Sequence, residues 1–219
     1  MHFNSEQVLK NFISIKNKVS AISKGSKLLA VSKFHKMDKI IPLLLSGHRF
    51  FGESRLEEAV GKWSAVKKDY PDLELHYIGG VQSKKIPKIV NFFDVIQSVD
   101  RISVAEKISS SAEAIDKNQR ILIQINIGEE PQKSGVPPDD FSRLYTEIKS
   151  LKNIIIEGIM CIPPNDNNAN YYFMKMKKIA EEYRLNEISM GMSHDYEQAL
   201  NHGATIVRVG TFIFGERSD

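Results

Sequence analysis

The sequence predicts an α/β protein built as a single (β/α)8 barrel of the TIM type over residues 1–219, with one extra helix at the N-terminus. Three observations predict it. Eight short β-rich runs alternate with segments of helical period, which implies parallel strands joined by right-handed crossovers. Several runs, among them Ile121-Leu122-Ile123 and Ile154-Ile155-Ile156, are apolar on both faces, as strands covered by helices are. Eight such units close naturally as a barrel, and no Gly-x-Gly-x-x-Gly follows the first run to favour the competing open doubly wound sheet.

Val8, Phe12, Ile15 and Val19 recur at helical spacing and predict the extra helix. Strands are expected at Leu28 to Ser32, Arg49 to Gly52, Glu74 to Gly79, Phe93 to Ser98, Ile121 to Ile127, Ile154 to Ile162, Glu187 to Met190 and Thr205 to Val209. Apolar residues three and four apart predict helices at Ser54 to Lys68, Arg101 to Asp116, Pro138 to Leu151, Asn170 to Arg184 and Asp195 to His202.

Composition narrows the function classes. Thirty Lys and Arg against 27 Asp and Glu leave a net charge of +3 without basic blocks, so no nucleic-acid partner is expected. Apolar runs are too short to span a bilayer, and the N-terminus shows no secretory leader, so a soluble, unprocessed chain without a membrane partner is expected. Cys161, the single cysteine, excludes an intramolecular disulfide framework and a multi-cysteine zinc site and fits a cytoplasmic location.

In a barrel, chemistry collects at the C-terminal ends of the strands. Lys33 closes the first run on the same face as Leu29 and Val31. If that face is the interior, desolvation depresses the amine from its ordinary pKa of about 10.4 and readies it as a nucleophile. The bland alternative is the first solvated residue after a strand. Arg208 stands between two valines in the last run, where a buried guanidinium requires either a carboxylate or an acceptor brought by a ligand. Gly210-Thr211 follows, where backbone N–H groups can approach a phosphate. Ser193 is placed to cap a helix starting at His194-Asp195, the same geometry that offers N–H groups to an anion, with Asp195 expected to point away. Met190 and Met192 read as packing groups of the pocket wall. Trp63, Tyr171, Tyr172 and Phe173 read as core or interface, Lys84-Lys85 as a solvated helix start, and His76, His194 and His202 show no metal-ligand spacing.

An ordered set of motifs runs along nearly the whole chain. It comprises Ala30-Val31-Ser32-Lys33, Phe51-Gly52-Glu53, His76 through Lys84, Gln124-Ile125-Asn126-Ile127 with Lys133-Ser134-Gly135, Glu157-Gly158-Ile159-Met160, Ser189 through Asp195, Val207 through Thr211, and Ile213-Phe214-Gly215. With these motifs the chain resembles the pyridoxal phosphate homeostasis proteins, also called the YggS or PROSC family. The resemblance implies a barrel similar to the N-terminal domain of alanine racemase, with pyridoxal 5'-phosphate held as an aldimine on Lys33. It implies that Ser193, Gly210 and Thr211 hold the phosphate, that Arg208 faces the pyridine nitrogen, and that Met192 belongs to the cofactor site. Ser54 and Lys84 stand where the family usually has Asn, which removes any contact that depends on those amides.

The function implied is that of a binding protein of vitamin B6 homeostasis, with no catalytic residue and no metal ligand assigned. A guanidinium on the ring nitrogen weakens the ring as an electron sink, which favours a carrier over a transaminase. The alternative is a pyridoxal-phosphate-dependent amino-acid racemase. Only Phe212 to Asp219 remain after the eighth run, too little for the second β-rich domain of such racemases. A monomer is expected, with pyridoxal-phosphate-dependent apoenzymes as candidate recipients of the cofactor.

Overall fold

A computed structural model describes residues 4–216, and in it eight parallel strands pair in chain order and close into a barrel. The strands are β1 (Lys27–Val31), β2 (Phe50–Glu53), β3 (Glu74–Tyr77), β4 (Val95–Val99), β5 (Gln119–Ile125), β6 (Ile154–Cys161), β7 (Glu187–Ser189) and β8 (Ile206–Val209). Every expected strand is present, its ends within two residues of the expected ones. The helices are α1 (Ser5–Ile22), α2 (Met37–Leu45), α3 (Leu56–Trp63), α4 (Val66–Asp69), α5 (Ile86–Phe92), α6 (Ile102–Glu113), α7 (Phe141–Lys149), α8 (Ala169–Glu182), α9 (Tyr196–Asn201) and α10 (Thr211–Phe214). Closure is made by β1 against β8, in a register that sets Leu29 beside Arg208.

The extra helix, α1, buries Val8, Phe12, Ile15 and Val19, and the Asn4 side chain accepts the Gln7 N–H at its start. It packs on α2, α9 and α10 and so lies outside the closure of the barrel. The large core fills the layer between strands and helices, while a small apolar set of Leu29, Val95, Leu122, Met160 and Ile206 sits inside the barrel. Leu29 in that inner set places the Lys33 face of β1 toward the interior.

Two helical expectations are corrected, and two helices were not expected. The segment Ser54 to Lys68 is two helices, because the chain turns at Ser64 and Ala65 between α3 and α4. Helices α2, which carries Pro42 within it, and α5 are additions to the expected set. The helix expected from His194-Asp195 starts at Tyr196, with Asp195 as its cap residue.

Candidate functional site

Lys33 follows β1 in a turn that local geometry strains. The next residue, Phe34, adopts φ 67°, a left-handed conformation that a bulky side chain rarely takes. Its N–H donates to Glu58 Oε1 at 2.5 Å, and its ring stacks under the Arg55 guanidinium at 4.6 Å. Beneath the turn lies a buried ionic knot. Glu53 is wholly buried and its Oε1 accepts from Ser32 Oγ at 2.7 Å, from Trp63 Nε1 at 3.0 Å and from Lys62 Nζ at 2.7 Å. Lys62 also reaches Glu58 at 2.8 Å and the His35 carbonyl at 3.3 Å. The turn bearing Lys33 is thus tied from below by α3.

The opposite wall comes from the ends of β7 and β8. Gly191 has φ 87°, and a Cβ there would meet Ala199 Cβ at 2.5 Å, so only glycine lets the chain turn this close to α9. Asp195 does not line this mouth: its carboxylate accepts the Met192 N–H at 2.6 Å and ties the Met192-Ser193 loop to the start of α9. The expected capping role of Ser193 is therefore corrected. Asp195 takes that position, and Ser193, 7% exposed, lines the barrel mouth instead. After β8, Gly210 leads straight into the single turn α10, whose first N–H groups lack intrahelical acceptors.

Of the two sequence alternatives for Arg208, the structure sets aside the carboxylate partner. Arg208 is 4% exposed, yet no carboxylate among the described residues pairs with it: Nη1 donates to Ser189 Oγ at 2.8 Å and Nη2 to the Cys161 carbonyl at 2.7 Å. Two neutral acceptors from β7 and β6 therefore hold a buried cation beside the mouth of the barrel.

Lys33, Met192, Ser193, Arg208, Gly210 and Thr211 all line one cavity of about 280 Å³ at the C-terminal ends of the strands. Sequence reasoning missed the rest of its wall. Ile78, Met160 and Ile162 supply apolar surface, and His194, whose ring meets Phe212 at 4.9 Å, lines it as well. Those apolar residues were legible only as ordinary strand positions. A wider cleft of about 690 Å³ adjoins it, sharing Ile162, Met192 and His194 and bounded by Lys133 and Asn165. Ser54 does not line the cavity; its carbonyl packs where a Cβ on Gly79 would have to sit. Lys85 pairs with Glu57 at 2.8 Å, linking the start of α5 to α3. Among the described residues no group of three or more His, Cys, Asp or Glu is placed to hold a metal ion, and no helix is long and apolar enough to cross a membrane.

An amine, a guanidinium, hydroxyls and helix-start N–H groups around one small cavity suit a ligand with an electrophilic carbon, an aromatic nitrogen and an anionic group. Fold and site together define a barrel of the alanine racemase type: the family model "Alanine racemase, N-terminal domain" matches residues 4–218. The pyridoxal phosphate homeostasis protein of Aquifex aeolicus is 37% identical over 88% of this chain and 87% of its own. The chain belongs to the pyridoxal phosphate homeostasis protein family. The structure of PipY of Synechococcus elongatus PCC7942 with PLP bound matches with a TM-score of 0.87 at 34% identity, over 95% of this chain and 100% of that one. Alanine racemase of Clostridium difficile 630 in complex with cycloserine, at 16% identity and a TM-score of 0.75, covers 99% of this chain and 61% of its own and shares the fold.

Proposed function

We propose that this protein binds pyridoxal 5'-phosphate through Lys33 and serves intracellular homeostasis of that cofactor as a carrier. One observation carries the reading: the amine of Lys33, the guanidinium of Arg208 and the hydroxyl residues Ser193 and Thr211 converge on a single cavity. These groups fit the aldehyde, ring nitrogen and phosphate in turn. When bound, the cofactor supplies an aldehyde and an electron-withdrawing ring.

Lys33 would hold the cofactor by offering Nζ as the nucleophile for its aldehyde. Ser193 and Thr211 would donate to the phosphate, joined by N–H groups at the start of α10. Arg208 would donate to the ring nitrogen and, being permanently charged, would keep a proton off it. No carboxylate among the described residues lines the cavity to protonate that nitrogen, which supports storage and delivery over strong catalysis. The protein acts as a monomer in this reading, and the buried lone cysteine fits a cytoplasmic setting. Release to pyridoxal-phosphate-dependent apoenzymes completes the reading.

The racemase alternative has one observation in its favour, His194 in the cavity wall as a candidate second acid–base group. Titration with pyridoxal phosphate tests the main reading: a saturable visible band should appear, and borohydride should leave a pyridoxyl group on the Lys33 peptide. Labelling only at another lysine overturns it.

A further inference from the structure

A continuous hydrogen-bonded chain runs down the barrel interior from Arg208 to the opposite end. Arg208 Nη1 donates to Ser189 Oγ, Ser189 donates to Gln97 Oε1 at 2.7 Å, Gln97 Nε2 meets His76 Nδ1 at 2.7 Å, and His76 Nε2 meets Glu74 Oε1 at 2.8 Å. Ser189 and Gln97 are fully buried and His76 is 2% exposed. At the far end Arg120 contacts Glu74 at 3.1 Å and Glu157 at 3.4 Å. The edge of the Phe50 ring closes over His76 at 4.5 Å.

The chemistry of the two ends fixes the direction of every link. A guanidinium only donates, so Ser189 must accept from it and turn its own proton to Gln97. Gln97 then presents its amide N–H to His76, whose Nδ1 must be an acceptor. An ionised Glu74 only accepts, which puts the single imidazole proton on Nε2. The links agree throughout, so the chain is polarised from the buried cation toward the carboxylate. Burial holds the His76 pKa below its ordinary value, partly countered by Glu74, which favours the neutral ring this scheme needs. A second proton on Nδ1 would face the Gln97 amide, force that amide to flip and reverse the polarity at Ser189.

We propose that His76, acting through Gln97 and Ser189, is a positioning residue that orients the Arg208 guanidinium toward the ring nitrogen of the bound cofactor. The role at the ring rests on the proposed binding of pyridoxal phosphate; the chain of hydrogen bonds itself does not.

Two kinds of measurement separate them. In ¹⁵N NMR of the full chain without ligand, at neutral pH, His76 should be the neutral Nε2–H tautomer and the Arg208 guanidinium should give slowly exchanging Nη protons. An imidazolium or an Nδ1–H tautomer at His76 overturns the proposal without any variant. In Ser189→Ala and Gln97→Met the Arg208 signals should lose their protection. In both variants pyridoxal phosphate and unphosphorylated pyridoxal should bind more weakly by the same factor, about fivefold or more, with a shifted visible band. Unchanged Arg208 signals, or an unchanged band with affinity intact, overturns the positioning role. Wild-type protein that shows the NMR signature but binds no pyridoxal phosphate removes the functional reading and, with it, the role at the ring, and leaves the relay as a structural device.

Discussion

Lys62 Nζ donates to the carbonyl oxygen of Ser32 at 2.8 Å, one residue before Lys33, while its charge is matched by the fully buried Glu53. A helix on the outer layer thereby holds the backbone that presents the reactive amine. The strained Phe34 turn persists because Glu58 and Lys62 over-determine it. Lys62→Met should leave Glu53 buried without its cation and lower stability by roughly 3–5 kcal/mol. Urea unfolding measures this. Pyridoxal phosphate binding should weaken in the same variant, and adding Glu53→Gln should recover part of the stability. A Lys62→Met protein as stable as wild type would refute the knot's role.

Ser193 and Thr211 line the same cavity from the ends of two neighbouring strands. Changing both to Ala should reduce affinity for pyridoxal phosphate tenfold or more, since a hydrogen bond to a charged group contributes about 1.5–3 kcal/mol. Unphosphorylated pyridoxal should be affected far less. Equal losses for both ligands, read by titration of the visible band, would place the phosphate elsewhere.

Carrier and racemase part over exchange at the substrate α-carbon. Racemisation needs acid–base groups on both faces of that carbon, and among the described residues His194 is the only imidazole lining the cavity. Solvent deuterium should enter Ala, Ser and Glu far more slowly than about 1 per second, as followed by NMR. Exchange at ordinary enzyme rates, lost in Lys33→Ala and in His194→Ala, would promote the racemase.

Stability should also carry a histidine signature. His48 is buried between Phe12 and Phe51, with Nε2 donating to the Phe50 carbonyl at 2.8 Å. Burial pushes its pKa down to about 4 from the ordinary 6.5. Between those values the unfolded chain binds the proton and the folded chain does not, so acidification favours unfolding. The contribution is fully present above pH 6.5 and is lost as pH falls toward 4, about 3 kcal/mol in all. Urea midpoints of wild type and His48→Gln across this window should converge as pH falls; parallel curves would exclude His48.

The order of eight strands was legible because each burial pattern is local: a strand covered on both faces must be apolar along its length, as Ile121 to Ile123 is. Lys33 and Arg208 stood out as charges where apolar residues belong, and Ser193, Gly210 and Thr211 followed from strand-end position and family motifs. Gln97 offered the same signal as Arg208, a polar residue within the buried strand β4, and Glu53 offered it in β2. Neither was read, because a polar side chain in a strand declares a requirement without naming the partner that meets it.

The sequence by itself determined the barrel, the face of β1 that carries Lys33 and the residues that reach the strand ends. Those depend on periodicity and on the cost of burying charge, which a chain displays residue by residue. Tertiary structure alone decided that Arg208 rests on Ser189 and the Cys161 carbonyl, that Asp195 rather than Ser193 stands at the start of α9, and that Lys62 grips the Lys33 turn. Each joins groups remote in sequence or chosen among close competitors, and a hydrogen bond is settled by distance and direction, which exist only once the barrel has closed.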